Sequence, residues 1–225
     1  MSAQAAVIDY IPSPDDQGGM LMPMIDLGAA SVAIIPPSGG VLPTLHSLEY
    51  WNPGDEFDPV SAWYSTLNTS SGNAQRFTSR YGFMFMDMGG NLPLDQSIAL
   101  RLISKSPELQ IWNYGKSANR FESVLETANS QILWDGTMWH PVITLDNSAM
   151  TGVYTATFEA FVADAPFTSG TGFVDYSASA LAAAQNSAFT PAQFILTWNA
   201  APIPEPSSLL FFVGASVFFI TRKKS

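Results

Sequence analysis

The stretch GVYTATFEAFVA, residues 152–163, alternates with a period of two. Tyr154, Ala156, Phe158, Ala160 and Val162 fall on one side, and Thr155, Thr157 and Glu159 on the other. Successive side chains of a strand point to opposite faces, so this pattern buries one face of an extended chain. Tyr81, Phe83 and Phe85 alternate with Gly82, Met84 and Met86, apolar on both faces, as in a strand inside a sandwich. Ile98, Leu100 and Leu102 alternate with Ala99, Arg101 and Ile103; Leu109, Ile111 and Asn113 alternate with Gln110, Trp112 and Tyr114. Ser31–Ile35 is an apolar run stopped by Pro36-Pro37, and Phe194–Trp198 is a last strand. Ile132–Trp134 and Met138–Leu145 flank Asp135-Gly136, which predicts a hairpin. Residues 6–30 read as irregular.

Helical signals are few. Asp58 is an N-cap residue with Pro59 behind it, and Val60, Trp63, Tyr64 and Leu67 share one helical face. Ser179–Gln185 is alanine-rich and predicts a second short helix or the remnant of one. About eight strands, turns between them and no βαβ rhythm predict an all-β fold. The expected architecture is a single β-sandwich, jelly-roll or immunoglobulin-like, over residues 6–203, with the strand order left open.

Sixteen Gly and 16 Pro among 225 residues suit such a turn-rich chain, and only 12% charged residues argue against disorder. Without residues 204–225, which hold Glu205, Arg222, Lys223 and Lys224, 18 acids face 6 bases, a net charge of −12. Such a body repels nucleic acid, so no nucleic-acid partner is expected. The chain has no cysteine, which excludes disulfides, thiol catalysis and Cys-ligated metal.

The two ends read as addresses. Between Glu205 and Arg222 lie 16 residues, and Leu209–Ile220 carries no charge. Leu209, Phe212, Gly214, Phe218 and Ile220 belong to a helix that would be apolar all round. It would span about 24 Å, short of the ~30 Å hydrocarbon core, a gap that snorkelling of Arg222, Lys223 and Lys224 can close. Those three residues form a basic stop that stays cytoplasmic. A C-terminal transmembrane helix is therefore expected, a buried terminal helix being the other reading. At the opposite end, Ala3-Gln4-Ala5 has the shape of a signal-peptidase cleavage site. Either residues 1–5 are the remnant of a signal peptide, or the match is fortuitous.

Pro204-Glu205-Pro206-Ser207, an apolar helix with Gly214-Ala215-Ser216 at its centre, and a basic end occur in order. This tail resembles the PEP-CTERM sorting signal of exported bacterial proteins. The resemblance covers residues 204–225. It implies a membrane-embedded exosortase as partner, transient residence in the inner membrane, and processing near Pro204–Pro206. The implied destination is the cell surface or an extracellular matrix that contains polysaccharide. FDPVSAWY (57–64), LWDGTMWHPV (133–142) and GVYTATFEAFV (152–162) also resemble a group of PEP-CTERM proteins linked to zinc-starvation regulation. That likeness implies a metal-related extracellular role and singles out His140.

Chemistry is sparsely marked. His46 and His140 are the only histidines; His46 and Glu49 lie near Asp55, Glu56 and Asp58. Histidine with carboxylates suits zinc or manganese. The competing reading is a solvated loop, with His140 packed against Trp134 and Trp139. Asn52–Asp58 also offers oxygen ligands to calcium, without the spacing of an EF-hand. A structural calcium or zinc ion and no cofactor at all both stand open. No G-x-S-x-G, HExxH, Walker or dinucleotide motif is present, no catalytic residue is marked, and an enzyme is not expected. Trp51, Trp63, Tyr64, Trp112, Trp134 and Trp139 are candidates for stacking on sugar rings, or else core. A surface or matrix protein with a structural or binding role is the expectation. A carbohydrate- or metal-binding module is the alternative, and a hydrolase comes last.

Overall fold

The computed structural model describes residues 19–37, 42–47, 76–86, 92–115, 120–145, 149–168 and 174–200. The predicted helix after Asp58, residues 1–5 and the whole tail 204–225 lie outside the described residues. Among the described residues no helix is long and apolar enough to cross a membrane.

Strand is the main regular structure of the described chain, with a single short helix beside it. β1 (Met24–Leu27), β2 (Val32–Ile35) and β5 (Met84–Met86) form a three-stranded sheet in the order β2-β1-β5. β3 (Thr44–Ser47), β4 (Arg76–Thr78), β6 (Ser97–Lys105), β7 (Leu109–Gly115) and β8 (Arg120–Ser123) join a larger one. β9 (Gln131–Trp134), β10 (Val142–Leu145), β11 (Gly152–Ala163), β12 (Val174–Asp175) and β13 (Ala192–Ala200) complete it. Its ten strands run in the order β12-β9-β6-β11-β13-β3-β4-β10-β7-β8. The all-β expectation holds.

The large sheet turns a corner at β3. Thr44 and Leu45 pair in parallel with Asn199 and Ala200 of β13, whereas His46 and Ser47 pair antiparallel with Phe77 and Arg76 of β4. A strand that changes partners midway lets one sheet become two facing layers. Ile98, Leu100, Phe158, Val162 and Trp198 from one half then share a core with Leu109, Ile111, Ile143 and Leu145 from the other. The small sheet closes this core: Phe83, just before β5, packs edge-on to Phe158 and Phe194 and stacks on Trp139.

The central pair is β6–β11. Its register runs from Ala163↔Ser97 to Phe158↔Leu102 and then slips at Thr157, leaving Ile103 as the extra residue of a bulge. The first half of β11 alternates, with Val153 and Thr155 exposed. Its second half is buried on both faces, because Phe161 and Ala163 meet Ala99, Leu133 and the helix residue Ala180 behind the sheet. That helix is α1 (Ala178–Leu181), a single turn that begins just before the alanine-rich stretch Ser179–Gln185 and covers only its start. Ser177 caps it, and Gln131 Nε2 donates to the carbonyls of Ala180 and Ala183 at its end.

Two expectations require correction. Residues 24–27, read as irregular, form β1, whose Ile25 is wholly buried. The Asp135-Gly136 hairpin does not exist. β9 pairs with β6 and β12, and β10 pairs with β4 and β7. The turn itself forms: Gly136 takes φ +82°, and Asp135 Oδ1 accepts from the Thr137 amide and hydroxyl at 2.9 and 2.7 Å. Its exit is redirected. Phe83 and Trp139 exchange backbone hydrogen bonds of 2.8 and 3.0 Å, and the Trp139 indole donates to Asn113 Oδ1 at 3.0 Å. Burying Trp139 this way carries the chain to the opposite layer, which outweighs a local hairpin.

Candidate functional site

A cleft of about 320 Å³ opens where the turn after β9 meets the start of β6. That volume lies at the lower end of the ~300–1,000 Å³ range of small-ligand sites. Phe85 of β5 and Leu92 supply one side, Phe167 after β11 another, and Trp134, Asp135 and Gly136 the turn between them. Gln96, Ser97 and Ile98 lie at the entrance to β6.

Local chemistry fixes these walls. Trp134 is buried, and its indole donates to the Thr137 carbonyl at 2.8 Å, closing the turn from within. Gly136 must be glycine twice over. Its φ is +82°, and a Cβ there would sit 3.2 Å from Phe85 Cβ and Cδ1. The Phe85 amide donates to the Gly136 carbonyl at 3.2 Å, which draws the two walls together. Ser97 Oγ is committed to the Ala165 carbonyl at 2.7 Å. Gln96 is partly exposed, yet its Oε1 is buried and has no hydrogen-bond partner among the described residues. An acceptor in that state is costly unless something donates to it. Among the described residues the lining holds one carboxylate, Asp135, and no cationic side chain.

A second polar cluster lies on the outer face of the central strands. Arg101 Nη1 bonds Glu159 Oε1 at 2.8 Å, and the guanidinium also sits 4.3 Å from the Phe161 ring centre. Gln193 Nε2 donates to Glu159 Oε2 at 3.1 Å. Arg101 also reaches Gln131 Oε1, whose amide nitrogen holds α1. Each member has a partner within the cluster, so its evident work is to fasten α1 and the strands together.

Of the two histidines, only His140 has a described side chain. His140 lies against the backbone of Gly82, and its Nδ1 stands 3.0 Å from the Ser79 carbonyl. A carbonyl only accepts, so this contact puts a proton on Nδ1. The backbone of His46 pairs with Phe77. The His46 side chain and all of Glu49 lie outside the described residues. No group of three or more His, Cys, Asp or Glu residues that could hold a metal occurs among the described residues.

The aromatic candidates also divide. Trp134 and Trp139 are core residues and present no open ring face. Trp112 is half-buried, with its indole on Thr144 Oγ1 at 2.7 Å. Trp51, Trp63 and Tyr64 lie outside the described residues. Gln96, Phe85 and Phe167 carried no sequence signal as a site. Elsewhere, Tyr81 stands edge-on to Trp198 and donates to the Thr197 carbonyl at 3.3 Å. Burial raises its phenol above the ordinary value of 10.0. Burial also lowers Lys105, although Glu126 and Glu108 oppose that shift.

Compared with protein-family models, curated proteins and solved structures, the chain matches none of them.

Proposed function

We propose that this protein is exported and sorted by its C-terminal segment, and that its β body serves a structural or binding role at the cell surface or in the matrix. The observation that carries the reading is the ordered tail: Pro204-Glu205-Pro206, an uncharged apolar stretch from Leu209 to Ile220, and Arg222-Lys223-Lys224. In this reading Pro204-Glu205-Pro206 is what an exosortase-type membrane enzyme recognises. Residues 209–221 hold the chain in the inner membrane until processing, and the basic end stops transfer. The acidic, cysteine-free body suits a protein that works outside the cell without disulfides.

We read the sandwich as jelly-roll-like rather than immunoglobulin-like. The chain changes layers at β6–β7, β8–β9, β9–β10 and β10–β11 instead of staying in local hairpins. The alternative to a purely structural role is a carbohydrate- or metal-binding module.

Mass spectrometry of the C-terminus of the mature protein from its native cell tests the sorting. A C-terminus at or near Pro204–Ser208 is expected. Replacing Pro204, Glu205 and Pro206 by alanine should leave unprocessed chain in the inner membrane. A mature protein that keeps its tail through Ser225 refutes the exosortase reading, and so does normal release of the alanine variant.

A further inference from the structure

We propose that the outer face of the small sheet binds a soft monovalent cation, copper(I) or silver(I), through the thioethers of Met24, Met84 and Met138. This names an ion for the metal-binding alternative above and does not depend on the sorting signal.

Register brings the three side chains together. Met24 and Met84 are direct partners in the parallel pair β1–β5. On the other edge of β5, Phe83 pairs antiparallel with Trp139, which sets Met138 opposite Met84. Met24, Met84 and Met138 therefore form one row across three adjacent segments. Asp26 pairs with Met86 in the next row. Leu21 pairs with Tyr81 in the same register, so Met22 falls level with Gly82 in the row before. Burial agrees with this face. Leu21, Pro23, Ile25, Phe83 and Trp139 are buried on the inner side. Met22, Met24 and Met86 are partly exposed, and Met84 and Met138 are 39% and 47% exposed. Directly opposed residues have Cβ atoms about 4.5–5.5 Å apart. An unbranched methionine side chain, with three rotatable bonds, can carry its sulfur across that gap.

The make-up of the face selects the ion. Of the seven methionines among the described residues, five stand in these three rows. Methionine inside a core fills gaps, but none of these five is buried. Strand surfaces favour β-branched and aromatic residues, so strand propensity does not account for them. Thioether sulfur is a soft donor that suits copper(I), whereas carboxylate and carbonyl oxygens suit magnesium and calcium. The chain has no cysteine, so methionine is its softest ligand. The three rows hold one carboxylate, Asp26, and no lysine or arginine. Asp26 favours a cation, but one carboxylate, with Oδ1 already accepting from the Leu27 amide at 2.9 Å, does not make a calcium site. His140 bounds the group at Gly82, where its ring fills the space a Cβ would take. Its Nε2 is closed to solvent, so the sulfur atoms are the ligands.

The test is NMR of the full 225-residue chain in detergent, with isotope-labelled methionine methyl groups and chloride-free buffer. The probes are silver(I) nitrate, and copper(I) kept reduced by ascorbate in the absence of oxygen. The methyl resonances of Met24, Met84 and Met138 should shift saturably, with Kd on the order of 1 μM. Zinc(II) and calcium(II) should leave them in place. Met150, 80% exposed in the turn before β11, reports what silver does at an isolated thioether. Met84→Leu and Met138→Leu conserve volume and should keep the fold while weakening silver binding at least about tenfold. Met150→Leu should leave the affinity unchanged.

The proposal is overturned if neither silver(I) nor copper(I) shifts the three methyl groups of the parent chain. It is overturned equally if Met150 responds as tightly as they do, or if zinc(II) binds as well as silver(I). Unchanged affinity in folded Met84→Leu and Met138→Leu overturns it too. Sorting is read from termini in the cell and metal binding from the purified chain, so either reading can fail alone.

Discussion

Gly82→Ala is the substitution for which the structure gives the sharpest expectation. A Cβ at position 82 would lie 2.4 Å from His140 Cε1, 2.7 Å from Nε2 and 2.8 Å from Nδ1. All three distances are far inside van der Waals contact, so the ring or the backbone must move. Gly82 is buried, its amide donates to the Leu21 carbonyl at 3.0 Å, and Phe83 beside it is locked to Trp139. The backbone therefore has little room to yield, and the ring moves instead. Swinging His140 outward sacrifices its contact with Ser79 and part of its packing. Overpacking of this kind costs about 1–3 kcal/mol, and one hydrogen bond about 1 kcal/mol, so about 2–4 kcal/mol is expected. For a chain of this length that is a fall in Tm of roughly 4–16 °C. The assay is urea unfolding followed by tryptophan fluorescence and near-ultraviolet circular dichroism. In a His140→Ala background the same substitution should cost less than about 0.5 kcal/mol, because nothing then occupies the space. Equal costs in the two backgrounds would refute the argument, and would mean that Gly82 is required by its own backbone rather than by His140.

Two further outcomes follow from buried polar groups. The phenol of Tyr81 is raised by burial, so the folded chain holds that proton more tightly than the unfolded chain does. Its contribution is fully present below the unfolded value of 10.0 and is lost as pH rises from there through the folded value. Tyr81→Phe should shift the alkaline unfolding midpoint upward in a pH titration monitored by circular dichroism, while lowering stability at neutral pH by about 1 kcal/mol through loss of the Thr197 bond. In the Arg101–Glu159 pair, whose side chains are 23% and 11% exposed, the two single replacements should differ. Glu159→Gln keeps shape and leaves Arg101 its contacts with Gln131 and Phe161, costing about 1 kcal/mol. Arg101→Met strands a nearly buried carboxylate and should cost about 2–3 kcal/mol after allowance for partial solvent screening. Urea unfolding that gave the reverse order would show that Arg101, not Glu159, is the member stranded when the pair is broken.

The strands that were legible in the sequence are those long enough to repeat. β11 shows its inward set at every second residue from Tyr154 to Val162, and β6, β7 and β13 do the same over shorter lengths. Asn113 kept its place in the inward set of β7 although it is polar, because Trp139 supplies the indole donor that it needs. β1, β3, β4 and β12 have between two and four residues each, too few for a period to stand out from chance. Their existence depends on partners that are distant in sequence. Ile25 is buried because β2 and β5 flank it, not because of its neighbours at positions 24 and 26.

The Asp135-Gly136 turn shows how the cleft escaped notice. Locally the dipeptide does what its chemistry dictates, with a positive φ at Gly136 and a carboxylate folded onto Thr137. A hairpin needs, beyond the turn, two flanking segments that gain more from each other than from anything else. Here Trp139 gains more by stacking on Phe83 at 5.5 Å and donating to Asn113 across the core. The segment therefore parts from β9 immediately after the turn, β6 and β12 take the two edges of β9, and the cleft opens beside the turn. Phe85, Leu92, Gln96, Trp134 and Phe167 then meet although up to 82 residues separate them in the chain. No spacing rule can connect residues that are joined only by a failed hairpin. Gln96 carries the same lesson in energetic form. Beside Ser97 it reads as an ordinary polar residue at the mouth of a strand, and only the closed fold deprives its oxygen of both water and a protein donor.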